Sequence, residues 1–249
     1  MFTDTHSHIF NEYYDDIDKV IKEAHEVGVE KVIVSSTNYV NSKEIIELGK
    51  KYEEVFISLG VHPEDVLEGF DKVEKLLEEN LDNKKLIAVG EIGLDYYYSK
   101  ENKEKQIILF EKQLEFAEKH NLPVIVHSRE ATLDTITSLK KYNVRGVIHC
   151  FSGSIETAKE YIKMGFYIGV GGVVTFKNTN LKDVIKEIPV ERILLETDSP
   201  YLSPEPYRGK QNSPKNVSVI ANYISNLKCI EINNFSKFVE KNVNDLYGI

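Results

Sequence analysis

The sequence predicts an α/β fold of the TIM-barrel, (β/α)8, class, in one domain spanning residues 1–249. Three observations predict it. Short apolar, β-branched runs alternate with longer segments of helical periodicity, and there are eight such runs. The length of 249 residues suits a class that typically takes about 250. Residues of metal-ligand type fall at the carboxyl ends of the strand-like runs, where βα loops build the sites of this fold.

The strand-like runs, in order, are FTDTH (2–6), KVIVSS (31–36), VFISLG (55–60), LIAVGE (86–91), PVIVHS (123–128), GVIHCF (146–151), FYIGVG (166–171) and ILLETD (193–198). Between them, stretches such as DDIDKVIKEAHEVG (15–28) and KQIILFEKQLEFAEKH (105–120) repeat apolar residues every three and four positions and leave the remainder charged, the pattern of an amphipathic helix. Asn41 and Ser154 are expected N-caps, and Gly28 and Gly165 expected C-terminal stops. Two further helical stretches lie around 214–227 and 234–247. Strand and helix in alternation imply parallel pairing. A doubly wound open sheet is the alternative architecture, because periodicity does not report closure.

Hydrophobic content of 41% with 29% charged residues is that of a globular chain able to bury a full core. A net charge of −9 argues against wrapping nucleic acid by bulk attraction, so an anionic substrate has to be held locally. Two cysteines, Cys150 and Cys229, make no disulfide framework and suit a reducing compartment. The amino terminus has no basic region followed by an apolar stretch, and no run approaches ~18 apolar residues. The expectation is a cytoplasmic protein with no membrane association and no obligate protein partner.

His6 and His8 stand two apart on the first strand-like run, on one face if that run is a strand. His62 follows the third run, Glu91 ends the fourth, His127 ends the fifth, His149 sits late in the sixth and Asp198 ends the eighth. His25 and His120 fall on helices and read as solvated or capping residues. Taken singly, His127 and His149 are also consistent with core histidines, His62 with a turn residue, and Glu91 and Asp198 with helix caps. Together, His6, His8, Glu91, His127, His149 and Asp198 point to one rim. A carboxylate at the tip of a buried strand is costly unless paired or bound to metal. Nitrogen and oxygen donors without thiolate suit Zn²⁺, Mn²⁺, Fe or Mg²⁺. Six ligands exceed the need of one catalytic ion, so two divalent ions per chain are expected, with Glu91 the candidate bridge.

Through these residues the sequence resembles the TatD family of metal-dependent hydrolases. The stretches THSH (5–8), GVHP (60–63), GEIGLDYY (90–97), HSREA (127–131), HCFSG (149–153), LLETDSPYL (194–202) and RGKQN (208–212) recur in family order across nearly the whole chain. The resemblance implies a metallo-dependent hydrolase barrel with a two-metal site and Mg²⁺-dependent 3′-to-5′ exodeoxyribonuclease activity. It assigns His6, His8, Glu91 and Asp198 to one ion and Glu91, His127 and His149 to the other. Glu130 stands where the family commonly has Asp, and Gln211 where a charged residue often stands.

The expected reaction is phosphodiester hydrolysis at a DNA end, single-stranded, by a water that the ions acidify, with Asp198 accepting its proton. Arg129 is the expected guanidinium clamp on the phosphate, followed by Arg208 and Lys210, with His62 as a further donor. Asp95 is expected to orient a ligand histidine, and Tyr96, Tyr97 and Tyr98 to stack on terminal bases or to pack. Cys150 reads as an inert, buried thiol facing the helices. Ester cleavage of a D-aminoacyl-tRNA is the alternative on the same metals. A small-molecule amidohydrolase or lactonase is disfavoured because that group often bridges its metals with a modified Lys from strand four, where Glu91 stands. A barrel that only stores metal is disfavoured by the excess of ligands.

Overall fold

The computed structural model describes residues 1–98 and 100–249. Among them, eight strands are followed in turn by helices: β1 (Phe2–Ser7), β2 (Val29–Ser35), β3 (Val55–Leu59), β4 (Leu86–Asp95), β5 (Val124–Arg129), β6 (Gly146–Ile148), β7 (Tyr167–Val170) and β8 (Ile193–Leu195). The helices are α1 (Ile17–Glu26), α2 (Tyr39–Lys51), α3 (Asp71–Glu79), α4 (Lys103–His120), α5 (Thr132–Leu139), α6 (Ile155–Lys163), α7 (Leu181–Glu187), α8 (Val217–Leu227) and α9 (Ile232–Tyr247). The strands lie in one sheet in sequence order, β1 to β8. A parallel bridge between Ser7 and Ser199 brings the end of the β8 segment back to β1, as the TIM-barrel class requires.

Contacts divide the chain into two compact units, residues 1–34 with 150–249, and residues 35–149. In the first, β1 pairs β2 through Phe2↔Val29 and β7 pairs β8 through Ile168↔Ile193. All six residues of β1 are buried, polar ones included. Helices cover the strands, which is why β7 and β8 read as unbroken apolar stretches, whereas β1 buries a mostly polar run. In the second, β3, β4, β5 and β6 pair in succession, all parallel. β4 is buried over all ten residues and extends to Asp95, four residues beyond the expected end.

Helix ends follow local chemistry. Ser154 caps α6 by accepting from the Thr157 N–H, and Gly28 and Gly165 take positive φ just past α1 and α6. The cap of α2 is Asn38 rather than Asn41. Asn38 Oδ1 accepts from the Asn41 N–H, and Asn41 returns the bond to the Asn38 N–H as the third residue of a capping box.

α4 buries Leu109, Phe110, Leu114 and Ala117 and places two glutamines, Gln106 and Gln113, on the same inward side. Truncating Phe110 to Ala removes a fully buried ring, at a cost of about 3–5 kcal/mol. No helix among the described residues is long and apolar enough to cross a membrane.

Candidate metal centre

In the first unit, β1 ends in His6 and Ser7, and His8 follows it directly. The two-residue spacing puts both imidazoles on one side: His6 Nε2 lies 3.1 Å from His8 Nε2, with the rings near perpendicular at 86°. Asp198 Oδ1 lies 3.7 Å from His6 Nε2 and 3.6 Å from His8 Nε2. The two strand ends are tied by main-chain bonds, Asp198 N–H to His6 O at 3.0 Å and His8 N–H to Ser199 O at 2.7 Å. Asp198 adopts a left-handed backbone, φ 55°, a conformation that Asp tolerates better than most residues.

Asp4, two residues before His6 on the same strand face, is fully buried. One of its oxygens accepts the Thr197 N–H at 2.8 Å and the other meets Thr197 Oγ1 at 2.5 Å, so the carboxyl holds the backbone beside Asp198. Burial pushes the Asp4 pKa well above the usual carboxylate range, against the bonds from Thr197. Buried Glu196 accepts the Cys150 N–H. Cys150, expected to be a buried thiol, is half-buried at φ 43° because the chain leaves β6 at Ile148.

The second unit gathers His62, Glu91, Asp95, His127 and His149. One oxygen, Glu91 Oε1, lies 3.4 Å from His62 Nε2, 3.0 Å from His127 Nδ1 and 2.7 Å from His149 Nε2. One ligand-type atom each of His62, Glu91 and His127 lies within 4.8 Å of the others, with His62 on the side of a donor rather than a ligand.

The tautomers follow from the second bonds. His62 Nδ1 accepts the Glu64 N–H at 3.2 Å as the cap of a 3-10 turn, so the ring proton sits on Nε2, facing Glu91. His127 Nε2 meets Asp95 Oδ2 at 2.9 Å and donates to it, leaving Nδ1 bare towards Glu91 and His149. A bare lone pair 3.0 Å from a carboxylate oxygen needs a positive charge between them, either a second proton or a cation. Burial works against charging His127, but the bonds to Asp95 and Glu91 outweigh it and raise its pKa. The mirror effect lowers Asp95, where the His127 bond and the Tyr97 N–H overcome burial. Imidazole nitrogens converging on a carboxylate oxygen, one imidazole held by a second carboxylate, suit a divalent cation without thiolate ligands.

Both α4 glutamines serve this cluster. Gln106 takes the Asp95 N–H on Oε1 and gives its amide to Asp95 O, each at 2.9 Å. Gln113 does the same to Val61, at 2.8 and 3.0 Å, fixing the turn that carries His62. They went unrecognised in the sequence. The signal is visible there, two amides seven residues apart on the apolar face of an amphipathic helix.

The remaining expected residues are placed as follows. Arg129 is exposed and lays its guanidinium on the Tyr97 ring, 3.6 Å from the centroid. Arg208 and Lys210 are exposed on the segment after β8. Arg208 stacks on Phe176 at 4.3 Å, and the Lys210 main chain is pinned by Tyr207 and Ser203. Tyr96, one of the three tyrosines expected to stack on bases, is buried with its hydroxyl on Asp134 Oδ2 at 3.0 Å and so is unavailable for that role. Neither Glu91 nor Asp198 caps a helix; His120 packs against Phe116, ring centroids 4.4 Å apart.

A family model described as TatD related DNase matches residues 3–248. An uncharacterized metal-dependent hydrolase of Bacillus subtilis, YabD, is 38% identical over 254 residues, covering 100% of both chains. The crystal structure of YjjV, a TatD homolog from Escherichia coli, superposes with a TM-score of 0.93 at 30% identity, covering 100% of this chain and 98% of that one. A TatD-family hydrolase from Entamoeba histolytica superposes at 0.87 with 28% identity, covering 99% and 97%.

Proposed function

Since this chain belongs to the TatD-related DNase family of metal-dependent hydrolases, we propose that it is a 3′-to-5′ exodeoxyribonuclease that shortens single-stranded DNA with two divalent ions, Mg²⁺, Mn²⁺ or Zn²⁺. The observation that carries the reading is Glu91 Oε1 within 3.4 Å of three imidazole nitrogens at the ends of neighbouring strands. His6, His8 and Asp198 form the second ligand group. Glu91, His127 and His149 would hold one ion, and His6, His8 and Asp198 the other.

When bound, the ions supply Lewis acidity and bring the ionisation of water towards neutral pH. Asp198 accepts the proton released by the attacking water. His62, protonated on Nε2, donates to a non-bridging phosphate oxygen. Asp95 keeps His127 in the tautomer whose Nδ1 can act as a ligand. Arg208 and Lys210, both exposed, offset phosphate charge along the strand. The net charge of −9 makes such local cations necessary. The scarcity of cysteine is consistent with a cytoplasmic site of action.

The test is a panel of end-labelled single-stranded DNA, RNA and D-aminoacyl-tRNA with each of the three metals, beside chelator and Glu91→Ala controls. Stepwise loss from the DNA 3′ end is expected, abolished by chelator and by Glu91→Ala. Ester release from the tRNA with oligonucleotides left whole overturns the nuclease reading and leaves a hydrolytic metal centre.

A further inference from the structure

Three consecutive tyrosines follow β4, and they divide sharply. Tyr96 is buried, with its N–H on Arg129 O at 3.0 Å. Tyr97 and Tyr98 are 51% and 73% exposed, with their rings edge to face, centroids 4.8 Å apart and planes at 82°. Arg129 pairs with Asp95 in the β4–β5 register. Its guanidinium lies 3.6 Å from the Tyr97 centroid and 5.2 Å from that of Tyr98.

The layer is fixed from beneath. The Tyr97 N–H donates to Asp95 Oδ1 at 2.8 Å, while Asp95 Oδ2 holds His127 at 2.9 Å. One buried carboxylate therefore anchors both a metal-ligand candidate and an exposed aromatic step. The Arg129 guanidinium donates to Tyr98, and of its five in-plane N–H donors those left over suit phosphate oxygens. Aromatic and guanidinium faces stack on any base, because every base has a π-face. An arginine packed only to shield tyrosine does not explain why both rings remain so exposed at the end of a strand that supplies Glu91.

We infer that Tyr97 and Arg129 form a stacking site for the terminal base of a single-stranded nucleic acid, the ring taking the base and the guanidinium edge the phosphate. This rests on the nuclease reading and sharpens it: the enzyme selects an unpaired end that carries a base, whatever the base.

The test compares oligonucleotides of equal length that end in an ordinary or an abasic 3′ nucleotide. kcat/KM in Mg²⁺ and binding by fluorescence anisotropy in chelator are measured for wild type, Tyr97→Ala, Tyr97→Phe and Arg129→Ala. Wild type is expected to favour the base-bearing end by roughly tenfold, within the range of base–aromatic stacking. Tyr97→Ala brings the ratio near one, Tyr97→Phe keeps it, and Arg129→Ala reduces it. Each ratio is taken within one preparation, so a partly unfolded variant still reports. Equal cleavage of both ends by wild type, or full discrimination by Tyr97→Ala, overturns the stacking site while the nuclease reading stands. Discrimination in binding without any cleavage keeps the stacking site and removes the nuclease reading; absence of both removes both.

Discussion

Replacing Asp95 with Asn changes one charge in the His127 cluster and almost no volume. Asp95 is buried, donates its own N–H to Gln106 and accepts from Tyr97 N at 2.8 Å, contacts that an amide can keep. What changes is the 2.9 Å bond to His127 Nε2, from carboxylate to neutral amide. Hydrogen bonds to charged groups contribute about 1.5–3 kcal/mol, and tenfold in affinity is about 1.4 kcal/mol. The expected loss is therefore about 10- to 100-fold in metal affinity, the range found when an outer partner of a ligating histidine is removed. Calorimetric titration of Zn²⁺ or Mn²⁺ into wild type and Asp95→Asn, both shown to be folded by circular dichroism, measures it. Wild-type affinity in the variant refutes the role of Asp95 and the tautomer assigned to His127.

Other outcomes follow from the same geometry. In chelator, His127 has a folded pKa raised above 6.5, so its stabilising contribution is complete below that value and fades as pH rises through the folded pKa. Urea midpoints at about pH 6 and about pH 8 should show this fall for wild type and not for His127→Gln, and saturating metal should remove it by replacing the proton. Metal at about 100 times its Kd adds about 2.7 kcal/mol, which for a chain of this size raises Tm by about 5–10 °C; an unchanged Tm argues against a folded-state site. Gln106→Leu leaves the buried Asp95 N–H and C=O without their amide partner and should cost about 2–4 kcal/mol in denaturant unfolding. Gly93 has φ 146°, and a Cβ there meets His127 O at 2.0 Å, so Gly93→Ala should lose about 3 kcal/mol or more.

Much of the fold is legible because strands covered on both faces need apolar, β-branched runs, and all eight stand near the predicted places. Their ends were less legible. β6 stops at Ile148, where Cys150 turns left-handed and gives its N–H to Glu196, a partner 46 residues away that no local pattern announces. β4 runs on to Asp95 because it stays paired with β5 as far as Arg129, while Gln106 satisfies the Asp95 N–H and C=O. The histidines stood out because ligand-type residues at strand ends are rare. Asp4 did not, although the alternation of FTDTH puts it on the His6 face. Burial decides its role, and burial is tertiary. The YYY run illustrates the same limit: identical residues become one core side chain and two exposed rings through the turn after β4, while the reach of Arg129 across Tyr97 depends on a long side chain's rotamer.

Hydrolysis as proposed requires divalent ions, one at His6, His8 and Asp198 and one at Glu91, His127 and His149. Inductively coupled plasma mass spectrometry of Mn²⁺-loaded, desalted wild type and Glu91→Ala measures this most directly. About two ions per chain in wild type and about one in Glu91→Ala is the predicted result. A wild type that retains none, or a Glu91→Ala variant that keeps both, contradicts it.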